Sequence, residues 1–498
     1  MARTKSPKSE IERVQERALD ALAQLGGSTT SEDDILFEGQ KFILPATLGG
    51  DLRQAIRLLE RKHAEEEKEF AFSHQFKYRP LDGAVATGNV IKDLFGMTLG
   101  KAIQTFFGED PPKLIDVAVG VDETVQAPWG AMEVPGLPGL TLYLDSAVDA
   151  ELGQVFQLHG EGPRKYRFII DGLFKAIEVE LARNSIYRGK AITGQPKPNF
   201  LDLSSVNPAT VVYSDDVLAQ LTAEVWTPIR KADQLADLGE PGKRTVIFEG
   251  PYGTGKTLGA YLTALEAVEA GWTFLMVRPG RDDLESALAT ARMYQPAVIF
   301  TEDIGTQASE GSAEHMARML DLFDGLDTKG LRLITVLTTN NVETLHPGML
   351  RPGRLDAVIS IAGLDLPGVR KLAHVVFGER KLAKDIDWDK VFLANEGYTP
   401  AFIREGFGRV IRYQLARGDS STVTTDDLVH AANGLRAQYD LMVNAAAPKD
   451  RDPSFKELVV GAVEEAASGL ALVVSDDDIT FKVVPGQHDS KHYESARR

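Results

Sequence analysis

The stretch Gly250-Pro251-Tyr252-Gly253-Thr254-Gly255-Lys256-Thr257 constrains this chain more than any other. It satisfies G-x-x-x-x-G-K-[ST] at every fixed position. An apolar run, Thr245–Phe248, precedes it, and a helical pattern opens near Leu258. Strand, glycine-rich turn and helix in that order form a cradle for phosphate. Glycines let backbone N–H groups converge on one point, and the helix N-terminus adds positive potential there. In such a cradle Lys256 reaches the β- and γ-phosphates and the Thr257 hydroxyl ligates Mg²⁺. Gly250 through Leu258 are therefore the expected nucleotide-binding residues, with ATP and Mg²⁺ as the bound groups. The dinucleotide fingerprint G-x-G-x-x-G is absent, because Leu258 stands where the third glycine belongs after Gly253 and Gly255.

The surroundings of this loop read as an α/β fold. From about 205 to 365, short apolar runs (Thr245–Phe248, Thr273–Val277, Ala297–Phe300, Leu333–Leu337, Val358–Ile361) alternate with helical stretches. That pattern predicts a mostly parallel sheet. Residues 367–445 read as all helix. The run Pro296–Ile304 delivers two adjacent acids, Glu302 and Asp303, at the C-terminal end of a strand, where open α/β sheets place their sites. One carboxylate can hold Mg²⁺ through its water shell, and the other can polarise an attacking water.

The first two hundred residues have another character. Residues 9–25 carry an amphipathic pattern, capped by Ser9 and ended by Gly26-Gly27, and Asp51 to Phe72 read as a second helical segment. Residues 113–170 are rich in Val, Gly and Pro, with strands expected at Leu114–Val121, Leu140–Leu144 and Tyr166–Ile170. Gly194–Pro198 reads as a linker. The run His74-Gln-Phe-Lys-Tyr-Arg79 could stack on a single-stranded nucleic acid, but a half-buried strand is the simpler account.

Composition limits the function. No apolar run approaches the ~18 residues that span a bilayer, and the first ten residues lack a signal-peptide core. A cytoplasmic protein with no membrane partner is expected. The chain has no cysteine, which excludes disulfides and cysteine-ligated zinc, and no H-E-x-x-H occurs. The net charge of −17 lowers the expectation of non-specific nucleic-acid binding, which needs a segregated basic patch.

Two further segments carry a family resemblance. Ile334-Thr-Val-Leu-Thr-Thr-Asn340 is a strand ending in an amide, and Leu350-Arg-Pro-Gly-Arg-Leu-Asp356 follows closely. With the phosphate loop and the acidic strand, these resemble the AAA clade of the AAA+ ATPases over about 205–440. The resemblance implies a P-loop AAA+ core with a parallel sheet plus a C-terminal helical lid, preceded here by an α+β N-terminal domain. The expected division is a helical segment over 1–74, the α+β domain over 75–200, the ATPase core over 205–365, the lid over 366–445 and a tail over 446–498. Asn340 would orient the water near the γ-phosphate. Arg351 and Arg354 would be arginine fingers reaching the ATP of a neighbouring subunit, which implies a homo-oligomer, a hexameric ring. The implied activity is ATP hydrolysis that remodels a macromolecular client, with a protein complex favoured by the acidic charge. A nucleic-acid motor would need a basic lining built from Arg278, Arg281 and Lys329.

Three departures from the family pattern stand out. The acidic pair is inverted, Glu302 then Asp303 where Asp then Glu is usual. Glu302 thereby takes the Mg²⁺ position, and Asp303, one methylene shorter, the water-activating one. Strong impairment would leave a nucleotide-gated scaffold. The segment Val277–Leu284 is charged and lacks the aromatic residue of protein-threading members. In the lid, Phe402 falls where an arginine is usual, and Arg404, two residues on, reads as an ordinary helix residue.

Overall fold

The computed structural model describes residues 52–96, 103–105, 108–110, 113–134, 136–278, 281–304, 331–340, 354–378, 382–418, 422–446, 470–475 and 478–483. The helical pattern over 9–25 lies outside them.

Residues 243–360 contribute five strands of a parallel sheet: β9 (Lys243–Glu249), β10 (Thr273–Val277), β11 (Ala297–Thr301), β12 (Leu333–Thr339) and β13 (Ala357–Ser360). A short strand, β8 (Ala191–Thr193), adds the far edge, giving the order β13-β9-β12-β11-β10-β8. Every pairing is parallel. β10, β11 and β12 are buried along their whole length, which is why they read as unbroken apolar runs rather than alternating ones. Successive side chains still point to opposite faces. Phe248, Phe274, Met276, Phe300 and Val336 face one core, with the helices Asp215–Leu221 and Lys256–Glu269 packed over them. Leu275, Val277, Ala297, Ile299 and Leu333 face a second.

The second face is covered in part by the N-terminal region. Its core holds Ala287, Leu288 and Ala291 of the helix Leu284–Met293 together with Ala84, Val85, Val117, Ala127, Leu152 and Val155. Apart from Leu152, in the turn between β6 and β7, those N-terminal residues belong to an antiparallel sheet of β1 (Glu69–Phe76), β4 (Lys113–Ala118), β5 (Thr124–Glu133), β6 (Thr141–Asp149) and β7 (Gly153–Pro163), and to the helix Pro80–Phe95. The sheet runs β1-β7-β6-β5-β4. A two-stranded β2 (Ile103–Thr105) and β3 (Gly108–Asp110) lies in the chain between the helix Pro80–Phe95 and β4. The helices Pro80–Phe95 and Arg167–Asn184 fill a third core with Phe76, Leu142, Leu144, Phe156 and Leu158.

Three local expectations change. Tyr166–Ile170 is not a strand: Tyr166 closes a 3₁₀ turn, and a helix begins at Arg167. Its buried Ile170, Leu173, Ile177 and Leu181 recur at helical spacing. A strand starts at Glu69, inside the stretch read as helical to 74, and pairs antiparallel with β7 along its length. Gly194–Pro198 is no free tether at its start. Gly194 donates its N–H to Met276 O at 2.8 Å, and a Cβ there would stand 2.9 Å from Val277 Cγ2 and 3.0 Å from Ala287 Cβ. The aromatic–basic run is a strand only over His74–Phe76, the end of β1: Phe76 is buried, and His74 stacks on Phe174 with ring centroids 4.9 Å apart.

The helices Leu366–Phe377, Trp388–Ala394, Pro400–Ala416, Thr425–Asn433 and Arg436–Ala446 share one further core, which also takes in Val212 from the segment before β9. Thr424 and Asp427 close a capping box at the start of Thr425–Asn433. Beyond them β14 (Leu470–Ser475) and β15 (Asp478–Val483) pair as an antiparallel hairpin. Among the described residues, no helix is long and apolar enough to cross a membrane.

Candidate nucleotide-binding site

The phosphate loop leaves the C-terminal end of β9 and returns into the helix Lys256–Glu269. Gly250, Gly253 and Gly255 have φ of 149°, 80° and 106°, values that side-chain-bearing residues rarely adopt. Space is as restrictive as conformation. A Cβ on Gly250 would meet Ile361 O at 2.3 Å, and one on Gly253 would meet Thr399 Oγ1 at 3.0 Å and Ala401 Cβ at 3.1 Å. The lid is hydrogen-bonded to the loop as well, since Ala401 donates its N–H to Gly253 O at 3.1 Å.

Of the sequence-predicted site residues, Tyr252 through Leu258 line one cavity of about 550 Å³ together with Glu302, Asp303 and Asn340. Lys256 donates to Gly250 O at 2.5 Å and Pro251 O at 2.8 Å. Burial lowers its pKa, and the negative charges of Asp303 and Glu249 act the other way. Thr257 donates its hydroxyl to Glu302 Oε1 at 2.7 Å. Glu302 and Asp303 follow the end of β11, held by Glu302 N–H to Val277 O at 3.1 Å and Asp303 N–H to Thr338 Oγ1 at 2.8 Å. Asn340 follows β12, and its Oδ1 is buried without a hydrogen-bond partner. Parallel strands β9, β11 and β12 thus bring Lys256, Thr257, Glu302, Asp303 and Asn340 together at their C-terminal ends.

Other cavity residues were missed from the sequence. Thr210, Val212 and Tyr213 line it from the segment before the core, and Leu372, Pro400, Ala401 and Arg404 line it from the lid. Tyr213 donates its hydroxyl to Gly255 O at 2.7 Å, and burial pushes its pKa up. Arg404, read from the sequence as an ordinary helix residue, stands on the cavity wall. On the helix Pro400–Ala416 it stands beside the stripe that buries Ile403 and Phe407 in the lid core, at the edge facing the cavity.

The Leu350–Asp356 segment carries two arginines to be set against this cavity. Arg351 lies outside the described residues. Arg354 is described and does not line it. Asp356 anchors that segment to the start of β9: its carboxylate accepts Thr245 N–H at 2.7 Å, and its own N–H donates to Thr245 O at 2.9 Å. With about 3.3 Å of rise per strand residue, this anchor is roughly 15 Å from the phosphate loop. Arg278 and Arg281 sit in a turn in which Arg278 N–H donates to Asp282 Oδ2 at 2.8 Å. Lys329 lies outside the described residues.

The cavity fits a nucleoside triphosphate. A glycine cradle, a partly buried ammonium and an orphaned amide oxygen converge at one end, and Val212, Leu372 and Pro400 offer an apolar wall. The donor set suits Mg²⁺, which keeps waters and phosphate oxygens around one or two protein oxygens. Among the described residues there is no cluster of three or more His, Asp or Glu that would make a dedicated metal cage.

A parallel sheet with a glycine loop after its first core strand, and acids at the end of the strand next but one, defines a P-loop ATPase. Residues 246–362 match the family described as ATPase family associated with various cellular activities (AAA), so the chain carries an AAA domain, the mark of a class of ATP hydrolases. Similar proteins include a proteasome-activating nucleotidase of Aeropyrum pernix, 25% identical over 333 residues that cover 61% of this chain and 74% of that protein. An ATP-dependent zinc metalloprotease FtsH of Lactococcus lactis is 26% identical over 301 residues, 56% of this chain and 42% of that protein. A proteasome-activating nucleotidase of Saccharolobus solfataricus is 24% identical over 254 residues, 47% of this chain and 64% of that protein. The match thus spans less than half of the FtsH protein and under two thirds of the Saccharolobus one.

Proposed function

We propose that this chain hydrolyses ATP at the Lys256 cavity inside a cytoplasmic homo-oligomeric ring, a hexamer, and uses the cycle to remodel protein complexes. The observation that carries the reading is the convergence of Lys256, Thr257, Glu302, Asp303 and Asn340 at one cavity, with Asp356, two residues after Arg354, anchored near the other end of β9.

In this reading the loop N–H groups and Lys256 bind the β- and γ-phosphates. Thr257 and Glu302 would hold Mg²⁺, which supplies neutralisation of the phosphate charge. Asp303 accepts a proton from the attacking water while Asn340 orients that water, and the products are ADP and phosphate. Tyr213 and Arg404 line the nucleotide cleft from the segment before the core and from the lid. Arg354, which does not line its own subunit's cavity, would serve the neighbouring subunit's ATP together with Arg351. Neutralising charge in the transition state in this way is worth ~10³–10⁵ in rate.

A protein client is supported by the acidic charge of −17 and by the names of the relatives, which include proteasome-activating nucleotidases. The Val277–Leu284 segment carries no aromatic side chain, which favours remodelling of complexes over threading of an unfolded chain.

The experiment is phosphate release per subunit with Mg²⁺-ATP across a wide range of protein concentration, with Lys256→Ala as the inactive control. A specific rate that climbs with concentration and saturates supports sites completed between subunits. A rate that stays flat down to monomeric concentrations would sink the ring reading. ATP-dependent assembly without phosphate release would select the scaffold, and stimulation by DNA that fades with salt would select a nucleic-acid client.

A further inference from the structure

Asp303 is, among the described residues, the non-glycine residue held at positive φ, 46°. Most side chains resist this left-handed region, because Cβ approaches the following carbonyl oxygen. Aspartate and asparagine enter it several-fold more readily, since a short polar side chain can bond locally. Glutamate has no such advantage. The position therefore favours the residue found there over the one the family pattern leads one to expect.

Something must hold the backbone in that conformation, and the contact is specific. Asp303 donates its N–H to Thr338 Oγ1 at 2.8 Å. Thr338 is 3% exposed and lies within β12, which leads into Asn340, so its hydroxyl is fixed by the sheet. The neighbouring Glu302 is fixed separately, through its N–H to Val277 O and its carboxylate to the Thr257 hydroxyl. The two acids are thus set by different strands. A turn to positive φ also swings the Cα–Cβ bond away from the strand direction, which alters where a short carboxylate arrives.

We propose that Thr338 is a positioning residue for hydrolysis: it holds Asp303 in a left-handed turn built to present an aspartate, so that the Glu302–Asp303 order is a working arrangement and not a weakened one. This rests on the ATPase reading above.

The test compares wild type, Thr338→Val, Thr338→Ser and Asp303→Glu in the assembled protein, with kcat, KM and nucleotide affinity measured for each. Valine keeps the shape of threonine and removes the acceptor. It should retain ATP affinity and lower kcat by roughly 10–100-fold, the scale of a displaced reacting group. Serine restores the hydroxyl and should return kcat to within a few-fold of wild type, roughly the loose end of that scale. Asp303→Glu should turn over more slowly than wild type. A Thr338→Val protein with wild-type kcat, or an Asp303→Glu protein faster than wild type, overturns the inference while leaving the ATPase reading intact. No phosphate release from wild type at any concentration would defeat the ATPase reading, and the inference with it.

Discussion

Arg79 Nη2 donates to Thr290 Oγ1 at 2.5 Å, joining two residues 211 positions apart in sequence. The same guanidinium reaches Leu152 O at 3.3 Å and Gln154 O at 3.0 Å beside β7, and Ser286 O at 3.1 Å on the helix Leu284–Met293. The Arg79 N–H donates to Tyr294 OH at 2.9 Å. Arg79 is 2% exposed, and burial is the main cause of its lowered pKa. One side chain thus fastens the N-terminal sheet to the helix that covers the ATPase sheet. Motion of either layer must be shared by the other or break this joint.

Replacing Arg79 by methionine keeps much of the stem and removes every donor of the fork. Carbonyls of Leu152, Gln154 and Ser286 would then be left short of partners, at about 1–3 kcal/mol for each that water cannot reach. A loss of roughly 2–4 kcal/mol in unfolding free energy is expected, read from the denaturant midpoint at unchanged slope. Lysine should rescue little, because a single ammonium cannot span a fork that bonds several groups at once. A midpoint equal to wild type would mean that the joint carries no stability.

Asp82 lies in the same joint and is raised to about 6, first by burial. Hydrogen bonds from Ser185 Oγ (2.7 Å), Ile186 N–H (3.0 Å) and Tyr294, and the positive charge of Arg188, only partly oppose that. The folded pKa stands above the unfolded one, so the folded protein binds the extra proton. The stabilisation is fully present below about 4, declines as pH rises, and is lost above about 6. It amounts to roughly 3 kcal/mol at about 1.36 kcal/mol per unit. Asp82→Asn should remove this slope: the difference in melting temperature between variant and wild type should shift in the variant's favour from pH 4 to 6.5. A difference that does not move with pH would rule out Asp82 as the titrating group.

What could be read in the sequence follows the range of the interactions. The phosphate loop is local, because its glycines, Lys256 and Thr257 act on their own backbone and the next helix. The buried strands β10 to β12 were legible as apolar runs for the same reason. Tyr166–Ile170 was misread because Tyr, Phe and Ile favour strands, whereas the helical spacing of Leu173, Ile177 and Leu181 shows only in a longer window. Arg404, Tyr213 and Thr338 gave no signal, since each acquires its role from a contact with a distant segment. The Arg79–Thr290 joint was invisible on the same ground.

Gly253 tests whether lid and loop move as one. At φ 80° an alanine carries the left-handed penalty of roughly 1–2 kcal/mol, and its Cβ would press on Thr399 Oγ1 and Ala401 Cβ. Gly253→Ala should weaken ATP binding by about tenfold or more, a change of about 1.4 kcal/mol, in direct nucleotide titration. Gly239→Ala, whose left-handed φ of 86° meets no neighbour within 4 Å, should leave that affinity unchanged. An affinity left unchanged by Gly253→Ala as well would mean that neither the left-handed turn nor the lid contact sets the loop.

Arg404 on the cavity wall should matter to the nucleotide rather than to the fold. Arg404→Ala is expected to keep the wild-type melting temperature without ATP and to lose part of the thermal shift that saturating ATP produces, because a ligand stabilises only in proportion to its binding. An undiminished shift would return Arg404 to the role of a surface helix residue.

The anchoring of Asp356 to Thr245 makes a sharper claim about Arg354. If Arg354 serves the adjacent subunit, Lys256→Ala and Arg354→Ala damage opposite sides of one shared site. Each variant alone should release little phosphate. Mixed in equal amounts and reassembled, they form interfaces in which an intact Lys256 meets an intact Arg354, about a quarter of the total for random mixing of sites that need a finger in trans. Phosphate release should then recover toward that fraction. Recovery requires subunit exchange, so fluorescence transfer between labelled subunits is read in the same sample. Exchange without recovery would place Arg354 outside the shared site and leave Arg351 to carry the finger role alone.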